Sequence, residues 1–174
     1  DSDRIDSIEQ AHERMRQLID DILSLAREGE PISDTESAHL PTVAERSWQG
    51  VSTSDATLSV ETDLSVLADR SRLTQLFENL FRNAIEHGGE DVTVTVTDHQ
   101  ARGGFTVADD GTGIPEESRE TIFEPGFSTT DDGTGFGLPI VREIAEAHGW
   151  EVEITESDTG GARFEVVGVD LVDR

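Results

Sequence analysis

The chain has no cysteine, so neither disulfides nor thiolate metal sites can form, although this leaves the redox compartment open. It has no lysine either: all 13 basic residues are Arg, and a Walker-type loop, which needs Lys against the phosphates, is excluded. No run of about 18 apolar residues is present to span a bilayer. The first residues, DSDRIDSIEQ, are charged where a secretory leader is apolar. The chain begins with Asp rather than Met, which reads as a piece of a longer protein. Two further motifs fail at one position each. Leu138 stands where the third Gly of a G-x-G-x-x-G loop would follow Gly133 and Gly135, and His12-Glu13 is followed by Arg14, Met15 and Arg16, so no zinc-binding HExxH exists. A Ser-His-Asp triad stays open by residue type, but there is no G-x-S-x-G elbow.

Acid is what the chain has in excess. Against the 13 arginines stand 38 Asp and Glu, a formal net charge of −25, which should repel nucleic acid and anionic lipid. The acids are spread through segments patterned like folded elements rather than gathered in a tail. The pattern reads as a halophilic surface, such as a halophilic archaeon would make, because carboxylate repulsion fades when the Debye length falls to about 3 Å near 1 M salt. An acidic mesophilic protein is the alternative.

With 174 residues, 34% of them hydrophobic, the chain can bury a core. In residues 5–27, Ile8, Met15 and Ile22 repeat every seven places, as do Ala11, Leu18 and Leu25, which is the seam of a coiled coil or bundle. "EGEPISD" should stop that helix at Gly29 and Pro31, dividing residues 1–30 from a domain at 31–174. A plain amphipathic helix docked on the rest is the other reading. Further on, a short helix is predicted over 41–49, strands at "ATLSVETD" and "SVLAD", and a long helix whose Leu73, Leu76, Phe77, Leu80, Phe81, Ala84 and Ile85 form a core-facing stripe. "DVTVTVTDHQ" and "GGFTVADDG" alternate as a hairpin, "PEESRETIFEPGFSTT" reads as one helical turn and a loop, and "WEVEITES" and "GARFEVVGV" supply two more strands. Strands with interleaved helices imply an α/β fold, a mixed sheet backed by helices on one face, preceded by one long helix.

Three features of this frame are polar or permissive where packing does not need them. Asn79, Asn83 and His87 recur every four residues on one side of the long helix, although Asn is a mediocre helix former and a solvated face would look the same. Asp109 ends an apolar strand, and Gly111 and Gly113 follow it in a turn tight enough to press a ligand against backbone. Finally, "DDGTGFGLPIV" sets glycines at alternate positions just before a helix, a place where phosphate groups meet amide N–H donors.

In combination these segments resemble sensor histidine kinases. "NLFRNAIEHG" (79–88), "DDGTGIP" (109–115), "IFEPGFST" (122–129) and "GTGFGLPIV" (133–141) are similar to that family's N, G1, F and G2 boxes and come in the same order, and "GARFEV" resembles its closing strand. "RMRQLIDDILSLARE" is similar to the second helix of the family's dimerisation domain. The resemblance implies a Bergerat-type two-layer α/β sandwich that binds ATP and Mg²⁺. On it, Asp109 takes the adenine amino group, with Gly111, Gly113 and Ile114 lining the base. Asn79 and His87 border the nucleotide and Asn83 is the metal ligand. Gly133, Thr134, Gly135, Gly137 and Leu138 form the lid hinge and helix start at the phosphates.

The same resemblance separates relatives. ATPases of the gyrase, chaperone and mismatch-repair type carry a basic Glu one turn before the metal Asn, whereas Asn79 stands there, and an amide cannot take a proton from water. Transfer to a protein acceptor is therefore favoured over hydrolysis, with a Ser/Thr kinase, an ATPase or a degenerate binding scaffold as alternatives. Glu86 replaces a Lys common in the family, Ala162 a Thr, and residues 124–133 hold no basic side chain. None of His12, His39, His87, His99 or His148 lies in an acceptor motif, which places the phosphorylated histidine on a helix upstream of Asp1. The partners implied are that helix, a second copy through the N-terminal helix, and a response regulator, with the catalytic part in the cytoplasm and no nucleic acid.

Overall fold

The computed structural model describes residues 1–27, 30, 32, 34–51, 55–89, 91–124 and 137–172. In chain order its elements are α1 (Ser2–Leu25), β1 (Glu36–His39), α2 (Leu40–Gln49), β2 (Thr57–Glu61), β3 (Ser65–Ala68), α3 (Arg70–Gly88), β4 (Thr93–His99), β5 (Gly104–Asp109), α4 (Gly137–Ala147), β6 (Glu151–Glu156) and β7 (Ala162–Val167). Two single 3₁₀ turns, Glu116–Ser118 and Thr121–Phe123, lie between β5 and α4 where one helical turn was predicted.

The predicted stripe of α3 is the centre of the core. Leu73, Leu76, Phe77, Leu80, Phe81 and Ala84 are all buried, and Ile85 packs at the margin. Asp69 caps the helix by accepting from the Arg72 amide at 3.2 Å, satisfying one of the free N–H groups of the first turn. Phe77 stacks on Phe81 and on Phe105 of β5, with ring centres 5.5 and 5.3 Å apart, and Trp48 of α2 meets Phe81 edge-on. These contacts join helices to sheet through aromatic area, the densest apolar contact a small core can make.

The sheet order is β2-β4-β5-β7-β6, with β2 parallel to β4 and the other pairs antiparallel. Alternation sends Val94, Val96, Phe105, Val107, Phe164 and Val166 into the helical layer. The opposite face carries Thr95, Thr97 and Thr106, with a 2.6 Å hydroxyl pair between Thr97 and Thr106, and lines an open groove of about 610 Å³. The mixed sheet with helices on one face is thus as the pattern implied.

Outside it, β3 pairs antiparallel with β1 in a separate two-stranded sheet. The sequence pattern did not show β1, since "ESAH" offers one buried apolar residue, Ala38. Near the start of α3, the buried ion pair Arg72 Nη2–Glu143 Oε1 at 2.5 Å ties α3 to α4. His148 bridges the same corner: Nε2 accepts from the Asp69 amide at 3.0 Å, Nδ1 bonds the Ile144 carbonyl at 2.8 Å, and the ring stacks on Trp150.

The first helix behaves differently. It begins at Ser2 and ends at Leu25, and Ile5, Ile8, Met15, Ile19 and Ile22 are each more than half exposed. Its C-terminal end rests on the globular part through Leu25, which packs on the core, and through polar groups: Asp21 and Ser24 are buried, and the Gln75 amide donates to Ser24 Oγ. Gly29 and Pro31, the predicted stop, lie outside the described residues. No helix among the described residues is long and apolar enough to cross a membrane.

Candidate functional site

The end of α3, the end of β5 and the β6–β7 hairpin converge because glycines let their backbones touch. A Cβ on Gly111 would lie 2.4 Å from the Gly88 Cα, and one on Gly113, at φ +79°, would lie 2.6 Å from the Gly160 carbonyl. Neither position can accept a side chain without moving backbone. The approach sets the turn after β5 against the last turn of α3, where the Thr112 hydroxyl donates to the His87 carbonyl at 3.4 Å.

Asp109 is buried at this junction. Its Oδ1 accepts from the Gly111 amide at 3.0 Å and the Ala162 amide at 3.2 Å, and its carbonyl accepts from Ser157 Oγ at 2.8 Å and Thr159 Oγ1 at 3.4 Å. Oδ2 takes no part in these bonds. The carboxyl is therefore fixed in orientation with one oxygen committed. Burial pushes its pKa above the ordinary 3.8, partly opposed by the two amide bonds, while the neighbouring Asp110 raises it further and His87 lowers it. His87 is half-buried, and burial holds its imidazole below the ordinary 6.5, with Asp109 pulling the other way. The pair sets a strand-end carboxyl beside a ring whose protonation burial disfavours, an acceptor suited to an amine-bearing base.

On α3, Asn79, Asn83 and His87 follow at single-turn spacing, with Asn79 buried and Asn83 half-buried. Gly137, the first residue of α4, comes close to Asn79: a Cβ there would lie 3.9 Å from Asn79 Oδ1. The described start of the 11-residue α4 thus stands beside Asn79. Ile114 and Leu138 flank the site, each packed on the core. The structure accordingly brings Asn79, His87, Asp109, Gly111, Gly113 and Gly137 together. Gly133, Thr134 and Gly135 lie outside the described residues.

Two parts of the site were not read from the sequence. Ser157, Thr159 and Gly161 clamp Asp109 from some fifty positions away, and a Cβ on Gly161 would lie 2.1 Å from the Asp109 carbonyl. The adjacent glycines 160 and 161 were the available signal. Arg82, whose Nη1 donates to Asn79 Oδ1 at 2.9 Å, carried none.

The residues present fit a nucleoside triphosphate: a strand-end carboxyl fixed by backbone amides for a base, and a helix start for phosphate. Among the described residues no cluster of three His, Asp or Glu could hold a metal by itself. A neutral amide oxygen such as that of Asn83 suits Mg²⁺, which keeps most of its shell as water and phosphate oxygen.

Mixed sheet, helical layer and this junction define an ATP-binding α/β sandwich of the Bergerat type. The family described as histidine kinase-, DNA gyrase B-, and HSP90-like ATPase matches residues 68–172, and the chain belongs to it. It is 36% identical over 101 residues to the sensor histidine kinase ZraS of Escherichia coli O157:H7, covering 57% of this chain and 22% of ZraS. It is 33% identical over 174 residues to the C4-dicarboxylate transport sensor protein DctB of Rhizobium meliloti (strain 1021), covering 95% of this chain and 28% of DctB. Among solved structures, the catalytic domain of the histidine kinase ThkA is similar at 30% identity and TM-score 0.63, covering 77% of this chain and 94% of that one. Full-length ShkA in complex with AMPPNP is similar at 27% identity and TM-score 0.69, covering 99% of this chain and 40% of ShkA. The chain is a histidine kinase-type ATPase catalytic domain spanning about a quarter of the length of the two curated relatives.

Proposed function

We propose that the chain is the catalytic module of a two-component sensor histidine kinase and transfers the ATP γ-phosphate to a histidine upstream of Asp1. The observation that carries this is the clamped Asp109, one oxygen committed to two amides, beside a neutral His87. Asp109 accepts from the adenine amino group, and Gly111, Gly113 and Ile114 let the backbone close on the base. Asn79 and the start of α4 at Gly137 address the phosphates, together with Gly133, Thr134, Gly135 and Leu138, and Asn83 holds Mg²⁺. The metal supplies charge neutralisation on the phosphates. What the protein contributes is positioning and a preorganised field, which in phosphoryl transfer is most of the catalysis. No carboxylate occupies position 79 to activate water, which favours transfer over hydrolysis.

Residues 1–30 are the second helix of a dimerisation domain and 31–174 the catalytic domain. The exposed apolar row on α1 supports this, since it is the side that a first helix and a second copy would cover. A response regulator is the onward acceptor and the catalytic part works in the cytoplasm, with a halophilic surface that a KCl series followed by circular dichroism would test. For the transfer itself, the chain should not label itself with γ-phosphate, yet should label slowly a supplied dimerisation domain bearing the acceptor His. Asn83→Ala should abolish that label. Free phosphate without transfer would show a hydrolase, and label on His12 would move the acceptor into this chain.

A further inference from the structure

Asp109 is the last residue of β5, and its two neighbouring strands treat it differently. On one side it still pairs with Val94 of β4, while on the other the ladder to β7 ends one residue earlier, at Ala108 and Arg163. The Asp109 carbonyl is met instead by two hydroxyls from the β6–β7 turn, Ser157 Oγ at 2.8 Å and Thr159 Oγ1 at 3.4 Å, which lie 3.1 Å from each other. The turn is closed on itself. Ser157 N–H donates to the Gly161 carbonyl at 2.8 Å, and Gly160 N–H donates to the Ser157 carbonyl at 3.0 Å. Ser157 is buried within it. Two close approaches leave no slack between turn and site: a Cβ on Gly161 would fall 2.1 Å from the Asp109 carbonyl oxygen, and one on Gly113 2.6 Å from that of Gly160. One turn thus grips both the residue that carries the carboxyl and a glycine of the turn that follows it.

The geometry points to Ser157 as a positioning residue, which fixes the backbone of Asp109 so that its carboxyl accepts from an exocyclic amine of the base and rejects a base with oxygen at that place. The assignment rests on the reading of Asp109 as the base acceptor and deepens it by naming what aims the carboxyl. Oδ1 is committed to the Gly111 and Ala162 amides, which pins the side chain at one atom. The other pivot is the backbone, and its place follows the carbonyl that Ser157 holds. With both pinned, Oδ2 has one location. A carboxyl oxygen so fixed attracts an N–H and repels a carbonyl oxygen, and the contrast fades when the group can swing away from the unfavourable partner. Without the Ser157 hydroxyl, the Asp109 carbonyl keeps only the longer bond from Thr159, and the strand end gains room to move. Ser157 acts through Asp109 and needs no contact with the nucleotide.

Calorimetry on the whole chain tests this with two probes, ATP and inosine triphosphate, each with Mg²⁺. They share sugar and phosphates and differ where the base carries an amine in one and a carbonyl oxygen in the other. Wild type should prefer ATP by about tenfold or more. Ser157→Ala should cut that preference by about threefold or more, chiefly through lost ATP affinity. Ser157→Thr keeps the hydroxyl and should restore it, and Thr159→Ala, which removes the longer bond, should cut it less than Ser157→Ala does. The ratio is the readout because a merely structural loss would weaken both triphosphates alike. A Ser157→Ala variant with the wild-type preference, or Ser157→Thr no better than Ser157→Ala, overturns the assignment and leaves Asp109 as the base acceptor. Wild type that binds the two triphosphates equally takes Asp109 away from the base amine, and the role of Ser157 with it. Wild type that binds neither overturns the nucleotide reading itself.

Discussion

Two helices of this chain are written in the same amphipathic code and end in opposite places. On α3, Leu73, Leu76, Phe77 and Phe81 are completely buried, whereas on α1 Ile8, Met15 and Ile22 remain 68, 56 and 51% exposed. Periodicity reports which side of a helix is apolar and says nothing of what will cover it. The α3 stripe finds its cover within the chain, in the sheet and in α2 and α4. Of the α1 seam, Leu25 packs on the core at the helix's end, beside the buried Asp21 and Ser24, the latter bonded by Gln75 of α3, while Ile8, Met15 and Ile22 stay exposed.

The comparison can be broken by mutation. Phe77→Ala removes a ring packed between Phe81 and Phe105 and should destabilise the fold by about 3–5 kcal/mol, read as a loss in denaturant midpoint. Ile8→Ala on α1 should change the same midpoint by less than about 0.5 kcal/mol. Equal losses at the two positions would show that α1's apolar side is buried in solution.

A smaller effect separates the two ends of α3. At its start His148 is held neutral: burial lowers its pKa below the ordinary 6.5, and although its bond to the Ile144 carbonyl and the charges of Asp69 and Asp170 favour protonation, burial prevails. A depressed histidine contributes stability that is present above the unfolded value and is lost as pH falls below it. Melting temperature should therefore decline as pH drops below about 6.5. The decline should flatten in His148→Gln, leaving the share due to His87, which burial also lowers. A variant with an unchanged pH slope would take the effect away from His148.

Much of this was legible from residue order. The stripe of α3, the hairpin of β4 and β5, the strand-end Asp109 and the row of Asn79, Asn83 and His87 are all local patterns, and local patterns survive in one dimension. What escaped was non-local or polar. β1 holds one buried side chain and owes its existence to pairing with β3. The clamp on Asp109 comes from Ser157, Thr159 and Ala162 across a sheet, and no spacing rule links positions so far apart. Arg82 looked like any surface charge on a helix, and only its 2.9 Å approach to Asn79 sets it apart. The heptad seam on α1 points to a helical partner, and its period gives no hint that Asp21 and Ser24 are buried beside Leu25 where the helix meets the rest of the chain.

The central claim is that the junction of α3, β5 and the β6–β7 hairpin is an ATP site organised by Asp109. Isothermal titration of the chain with ATP and Mg²⁺ in high salt, beside Asp109→Asn, tests it most directly. The substituted amide keeps an oxygen for the Gly111 and Ala162 N–H groups, so the fold should melt as before. Losing the charged acceptor should weaken ATP binding by about 1–3 kcal/mol. Equal affinity in the two proteins would remove Asp109 from the adenine contact, and an absence of binding by the wild-type chain would contradict the account of the site.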